Sequence, residues 1–167
     1  RYHADGAEPV VGISVRNWQY ETRFKDVMAE VADRIVRELS ARVVFLPMQF
    51  PEDVHAAESI AERTHEPCTV LKDEYTTSEF LSLVGNMDLM LAIRLHALIF
   101  AGVMGVPMIG VSYDPKIDRF LSSIGEKPVG SLDTVTADEL MAEIRRKWND
   151  KAVFRKRNAE LLGKLRD

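Results

Sequence analysis

Short apolar runs alternate with longer amphipathic stretches along the chain. The runs are rich in β-branched residues and predict buried strands, whereas the stretches repeat apolar residues at helical spacing. The predicted strands are 10–15, 43–46, 69–71, 87–93, 108–112 and 128–130. The predicted helices are 22–40, 52–64, 96–104, 116–124 and 150–166, with two more opened by capping boxes at Thr76 and Thr136. This alternation predicts an α/β fold with a doubly wound, mostly parallel sheet of five or six strands and helices on both faces.

The most apolar part of the chain holds only two ionisable side chains before Tyr113, namely Arg94 and His96. They follow the predicted strand 87–93 and open the predicted helix 96–104. Ligands of open parallel sheets collect at the carboxyl ends of strands, and helix amino termini attract anions. Arg94 and His96 are therefore predicted to hold a phosphate or a carboxylate.

Both residues also have a plainer interpretation. For Arg94 the alternative is an internal ion pair with a carboxylate such as Asp88 or Asp114. For His96 the alternative is a core histidine that donates to a backbone carbonyl. The two functional interpretations support each other, because both side chains belong to one strand–helix corner.

Other polar residues follow predicted strands. Arg16 ends the first strand and is predicted to reach the same edge of the sheet, with a solvated loop arginine as the alternative. Tyr113 and Lys116 lie in a polar turn after a later strand, where helix capping and a solvent-facing lysine are the alternatives. Gln49 follows another strand, but polar loop residues of this kind are common.

Composition narrows the class of protein. The 167 residues are 46% apolar and 29% charged with a formal net charge of −4. These values indicate one globular domain and give no reason to expect nucleic-acid binding.

Several kinds of site are not indicated by the sequence. A single cysteine, Cys68, excludes an internal disulfide and suits a reducing compartment. His3, His55 and His65 show no metal-ligand spacing. The turn after the first strand lacks the glycine fingerprint of dinucleotide-binding oxidoreductases, and no P-loop is present.

The two ends of the chain are polar or charged. Residues 1–8 are predicted to be a linker or a boundary, and the absence of a starting methionine suggests the carboxyl-terminal part of something longer. The basic residues of segment 145–157 are interpreted as solvated helix faces, with contact to an anionic membrane surface as the alternative.

Three blocks of sequence resemble the polysaccharide pyruvyl transferase family. They are Arg94-Leu95-His96-Ala97-Leu98-Ile99-Phe100-Ala101, Gly105-Val106-Pro107 and Gly110-Val111-Ser112-Tyr113-Asp114-Pro115-Lys116. The strand ending in Ser14-Val15-Arg16 resembles the start of the second half of these enzymes. The resemblance covers roughly residues 10–120 and is greatest to the bacterial members that pyruvylate secondary cell-wall polymers.

The resemblance implies a GT-B-like enzyme built from two Rossmann-like domains, with residues 9–167 forming the donor-binding domain. Such enzymes transfer the pyruvyl group of phosphoenolpyruvate to two hydroxyls of a sugar, forming a cyclic ketal, and nothing in this reaction demands a metal or another cofactor. The implied acceptor is an N-acetylmannosamine residue on a lipid-linked disaccharide, and the product later holds surface-layer proteins. This implies a cytoplasmic enzyme that works at the inner face of the membrane.

The resemblance also implies roles for individual residues, according to their position in the matching blocks. Arg94 and His96 match the R-x-H motif at the donor site of the family, and Arg16 aligns with an arginine that helps to bind the donor. Tyr113 and Lys116 are expected to contact the substrate. His96 is expected either to donate a proton or to hold the departing phosphate. Because the amino-terminal domain should supply much of the acceptor site, we expect this chain alone to bind the donor weakly without turnover.

Two other functions remain open at this point. One is the nucleotide-sugar-binding half of a GT-B glycosyltransferase, which should place an acidic residue for a ribose after a later strand. The other is a non-catalytic α/β interaction module, in which Arg94 would be paired internally and no small anion would bind.

Overall fold

The computed structural model describes residues 8–17, 22–150, 160, 161 and 163. Within this part of the chain, five strands form one sheet and six helices flank it. The strands are β1 (Val10–Ser14), β2 (Arg42–Phe45), β3 (Thr69–Val70), β4 (Leu89–Ala92) and β5 (Met108–Gly110). The helices are α1 (Thr22–Leu39), α2 (Glu52–Ala61), α3 (Thr77–Gly85), α4 (Leu95–Val103), α5 (Pro115–Ser123) and α6 (Ala137–Asn149).

All five strands are parallel, in the order β3-β2-β1-β4-β5. In the register of the sheet, Val11 lies between Val43 of β2 and Leu89 of β4. The chain therefore winds outward from β1 to β3, returns to place β4 beside β1, and winds outward again to β5. This confirms the predicted doubly wound sheet, and it puts the switch point, where loops diverge and leave a crevice, between β1 and β4.

Each face of the sheet is covered by its own apolar core. Leu89 and Leu91 of β4 pack into the core shared with α1, α2 and α6, whereas Met90 and Ala92 pack into the core shared with α3, α4 and α5. A strand that is buried on both faces has no polar position, which explains the continuous apolar run in the sequence. The prediction of helices on both faces is confirmed.

The two predicted capping boxes are confirmed. The N–H of Glu79 donates to Thr76 Oγ1 at 3.1 Å, and the Glu79 carboxylate accepts from the Thr76 N–H at 2.9 Å. The same reciprocal pair joins Thr136 and Glu139 at the start of α6. Each box satisfies two N–H groups at a helix start that have no partner inside the helix.

The predicted last strand, 128–130, does not form. The Val129 N–H donates to the carbonyl of Gly110 at 2.9 Å, and the carbonyl of Gly130 accepts from the Ser112 N–H at 2.7 Å. These contacts amount to one isolated bridge, between Ser112 and Ser131, and not to a strand. Pro128 lacks an N–H to donate, and the chain turns immediately after Ser131. In the described residues, the sheet therefore ends at β5.

The predictions for the chain ends fall largely outside the described residues. The predicted linker 1–8 is described only at its last residue, and the predicted helix 150–166 only at residues 150, 160, 161 and 163, of which the last three are helical. None of the described helices α1 to α6 is long and apolar enough to cross a membrane.

Candidate functional site

A cleft of about 230 Å³ lies at the carboxyl edge of the sheet, beside the switch point. Its lining comes from the loops after four different strands. The polar lining residues are Arg16 after β1, Gln49 after β2, Arg94 and His96 after β4, and Tyr113, Asp114 and Lys116 after β5. The structure thus brings all five of the site residues predicted from the sequence into one cleft.

Larger surface hollows lie elsewhere. One of about 630 Å³ lies beside the amino end of β2, one of about 600 Å³ lies between α6 and the loop after α5, and one of about 370 Å³ lies between α2 and β3. None of these three contains any of the five predicted residues. We regard the smaller cleft as the candidate site, because cations from three loops and the start of α4 converge there.

Arg94 is the residue immediately before α4, in extended conformation at φ −101° and ψ 123°. Its Nε and Nη2 groups donate to the carboxylate of Asp53 at 3.1 and 2.6 Å, and Nη2 also donates to Gln49 Oε1 at 3.2 Å. Arg94 is therefore paired internally, as the plainer interpretation proposed. The two N–H groups on Nη1 have no partner among the described residues, which leaves them available to an anion.

The partner of Arg94 was not predicted. Asp88 and Asp114 were the expected candidates, but Asp88 accepts from the N–H of Val10 at 2.8 Å, and Asp114 accepts from the N–H of Lys116 at 2.8 Å. Both carboxylates are used by the backbone. Asp53 gives no local signal, because an acidic residue in the first turn of a helix is common; its only hint is that it follows β2 at the same edge.

His96 is the second residue of α4, exposed to solvent at the rim of the cleft. Its ring lies 6.5 Å from the ring of Phe100, one helical turn further on, at an interplanar angle of 65°. The alternative of a core histidine is therefore wrong. In the described residues no side chain caps the start of α4, so backbone N–H groups remain open there beside the imidazole.

Arg16 stacks on Tyr113. The guanidinium carbon lies 4.4 Å from the centre of the ring, which is the geometry of a cation–π contact. Its Nε is buried and has no hydrogen-bond partner within the described part of the chain. Lys116 extends from the first turn of α5 and is exposed. Arg16, Arg94 and Lys116 thus outnumber the carboxylates of Asp53 and Asp114, which makes the cleft suited to a small anion.

No group of three His, Cys, Asp or Glu side chains in the described segments is arranged to hold a metal ion. The chemistry that the cleft can supply comes from guanidinium, ammonium and imidazole groups and from backbone N–H donors. Such groups bind and protonate phosphates and carboxylates.

Comparison with solved structures finds domains of the same fold in several other proteins. A UDP-GlcNAc 2-epimerase from Methanocaldococcus jannaschii matches with a TM-score of 0.66 at 14% identity, over 95% of this chain and 45% of that one. The C-terminal domain of a group 1 glycosyltransferase from Francisella tularensis matches with a TM-score of 0.68 at 9% identity, over 93% of this chain and 85% of that one. The C-terminal CMP-Kdo-binding domain of WaaA from Acinetobacter baumannii matches with a TM-score of 0.62 at 11% identity, over 93% of this chain and 89% of that one.

At these identities the likeness shows the fold alone, a Rossmann-like α/β domain of the kind found in GT-B glycosyltransferases and related epimerases. The chain spans less than half the length of the epimerases that it resembles.

No curated protein gives a significant sequence match. The comparison with protein families matches residues 6–115 to the polysaccharide pyruvyl transferases, about two thirds of the chain. Arg16, Arg94, His96 and Tyr113 lie inside the matched range, and Lys116 lies one residue beyond it. The chain therefore belongs to the polysaccharide pyruvyl transferase family.

Proposed function

We propose that this domain binds phosphoenolpyruvate and forms the donor-binding half of a transferase that moves the pyruvyl group onto a sugar. The observation that carries the proposal is the convergence of Arg16, Arg94 and Lys116 with His96 on one cleft at the start of α4, in a member of this family. Transferase membership follows from the family; the donor is our inference.

Phosphoenolpyruvate suits the cleft because it carries a carboxylate and a phosphate close together. The two open N–H groups of Arg94 can take one anionic group, and Arg16, which has no carboxylate partner among the described residues, can take the other. The uncapped start of α4 adds backbone donors to the same site.

The proposed reaction begins with a proton delivered to the methylene carbon of the donor. The central carbon then becomes oxocarbenium-like, and one sugar hydroxyl attacks it. The bond from that carbon to the phosphate oxygen breaks, inorganic phosphate leaves with the electron pair, and the second hydroxyl closes the ketal. Of the two protons that the hydroxyls release, one balances the proton on the new methyl group and one ends on phosphate.

His96 has the position for either of two parts in this sequence. As a general acid it protonates the methylene carbon; as a phosphate ligand it protonates and holds the departing group. Its exposure at the rim leaves its ring accessible to a ligand that sits on the start of α4.

The acceptor that we propose is a lipid-linked saccharide containing N-acetylmannosamine, bound largely by a second domain of the complete enzyme at the inner face of the membrane. The basic run on α6 does not supply a bare cationic surface for that membrane. Arg145 pairs with Glu38, and Arg146 pairs with Glu143. The interpretation as a solvated face is supported for Arg145 and Arg146. For Lys147 it is wrong, because only 2% of that side chain is exposed. We assign the approach to the membrane to the lipid of the acceptor.

Calorimetric titration of the protein with phosphoenolpyruvate, UDP and GDP tests the proposal. We expect phosphoenolpyruvate to bind and the nucleotides not to bind. Binding of a nucleoside diphosphate in place of phosphoenolpyruvate would instead support the nucleotide-sugar-binding half of a glycosyltransferase, and binding of neither would support an interaction module.

A further inference from the structure

The ion pair between Asp53 and Arg94 joins a buried carboxylate to a guanidinium that reaches the cleft. The Asp53 side chain is fully buried, and 15% of the Arg94 side chain is exposed, at the cleft. Replacing a buried ion pair by apolar residues of similar volume is often neutral or stabilising, so such a pair is weak evidence of a role in stability. We therefore explain the pair by what it does to Arg94, which lines the cleft.

Asp53 is itself held in place by the backbone. Its Oδ2 accepts from the N–H groups of Met48 and Gln49 at 3.2 and 2.9 Å, and its own N–H donates to the carbonyl of Gln49 at 2.9 Å. The carboxylate lies in the first turn of α2, where the helix dipole favours negative charge. It is therefore a rigid anchor.

This anchor controls the orientation of one guanidinium. Three of the five N–H groups of Arg94 are taken, two by Asp53 and one by Gln49, and the planar fork cannot rotate without losing all three. The remaining two N–H groups, both on Nη1, are consequently held in one direction.

We propose that Asp53 is a positioning residue, which fixes the guanidinium of Arg94 so that its Nη1 edge meets an anionic group of the ligand. Asp53 does not line the cleft and acts through Arg94. The inference rests on the proposed function in one respect only, namely that the ligand is phosphoenolpyruvate; the anion-binding role of the pair is independent of that identity.

The test is a calorimetric titration of the wild type and of D53N with inorganic phosphate and with phosphoenolpyruvate. By charge alone, removing a negative group near the site would tighten anion binding. Positioning predicts the reverse: D53N weakens binding of both anions roughly tenfold, because the guanidinium is no longer fixed.

D33N is the matched control. Asp33 is also buried, at 4% exposure, and also accepts backbone N–H groups, from His65 and Glu66 at 2.9–3.1 Å, but it lies at the opposite edge of the sheet. We expect D33N to lower the melting temperature and to leave both affinities unchanged.

Double variants separate positioning from a structural effect. R94A leaves the Asp53 carboxylate buried without its guanidinium partner, so adding D53N to R94A should raise the melting temperature while the affinity for phosphate stays at the R94A value. R94K keeps the charge but lacks the fork, and it should bind phosphate about as weakly as D53N does. R94K decides the question if D53N does not fold.

Phosphate affinity that is unchanged or higher in D53N, or unchanged in R94K, would overturn the inference. If the wild type binds phosphate but not phosphoenolpyruvate, the proposed function fails and the phosphate titrations still decide the role of Asp53. A wild type that binds neither anion overturns both.

Discussion

The guanidinium of Arg16 lies over the ring of Tyr113, with 4.4 Å between the guanidinium carbon and the ring centre. The two residues follow β1 and β5, so the contact reaches across the end of β4, which separates these strands in the sheet. An aromatic face attracts the cation without neutralising it, whereas a carboxylate would compete with the ligand. The stack therefore orders Arg16 without neutralising its charge.

Replacing Tyr113 should weaken donor binding through this contact. Y113A removes the ring and should raise the Kd for phosphoenolpyruvate about three- to tenfold, because Arg16 is no longer held over the cleft. Y113F retains the ring face and should bind close to the wild-type affinity. Calorimetry on the two variants provides the comparison, and equal losses in both would assign the effect to the phenolic hydroxyl instead of the stack.

Replacing His96 should reduce turnover and leave the fold intact. In the complete enzyme, H96A should lower kcat about a hundredfold or more if the imidazole transfers a proton, because general acids contribute that much. If the imidazole only holds phosphate, KM should rise with a smaller change in kcat. Since His96 is exposed, the melting temperature should change little.

H55A is the control for this experiment. His55 is likewise an exposed histidine near the start of a helix, with 72% of its side chain exposed, and it does not line the cleft. It should retain wild-type kinetics. A destabilised H96A enzyme with normal turnover per folded molecule would contradict the catalytic role.

The buried pair between Lys147 of α6 and Glu126 should matter for stability. Their side chains are 2% and 4% exposed, the ammonium lies 2.6 Å from the carboxylate, and it also donates to the carbonyl of Met108. K147M should destabilise the fold by about 3–5 kcal/mol, because it leaves a buried carboxylate without its ammonium partner. The double variant K147M/E126L should recover most of that loss in urea denaturation; a double variant as unstable as the single one would count against this explanation.

The same pair predicts a pH dependence. Burial lowers the pKa of Lys147 below its ordinary value of 10.5, against the opposing attraction of Glu126. Between the lowered pKa and 10.5 the unfolded chain binds more protons than the folded one, so the contribution of Lys147 to the free energy of unfolding rises with pH across that interval. As the pH is raised toward 10.5, the wild type should therefore lose less stability than K147M/E126L. Urea denaturation at a series of alkaline pH values measures the difference, and a steeper loss in the wild type would contradict it.

A side chain at Gly110 should destabilise the fold. A Cβ there would lie 2.7 Å from Leu121 Cδ1 and 3.1 Å from Leu98 Cδ1, which belong to α5 and α4. G110A should cost about 1–3 kcal/mol and should also weaken anion binding, because both helices carry cleft residues at their starts. In G130A the new Cβ would lie an ordinary 3.5 Å from Val135, so this control should melt close to the wild-type temperature. Thermal melting curves of G110A and G130A provide the comparison, and equal melting temperatures would contradict the prediction.

The sequence was sufficient to predict the fold because the strongest signals are local. The apolar run of β4 and the Thr76–Glu79 capping box depend only on neighbouring residues, and both are confirmed. The segment 128–130 failed because its β-branched centre lies beside Pro128 and a turn, which left one bridge in place of a strand.

The site was predictable in its location but not in its internal contacts. Residues that end parallel strands meet at one edge whatever their sequence separation, which placed Arg16, Arg94 and Lys116 in one cleft. The choice of Asp53 as the partner of Arg94, across 41 positions, depends on the exact packing of α2 against that edge. Asp88 was closer in sequence, but its carboxylate is used by the N–H of Val10.

The position of β1 in the middle of the sheet has a consequence for synthesis on the ribosome. Its first neighbour, β2, ends at Phe45, and its second neighbour, β4, begins at Leu89. At about 5–20 residues per second, the open edge of this apolar strand waits roughly 2 to 9 s for its partner. During that time it is a template for pairing with other chains. The cleft itself is complete only after Lys116 has been made, because it takes its residues from both halves of the chain.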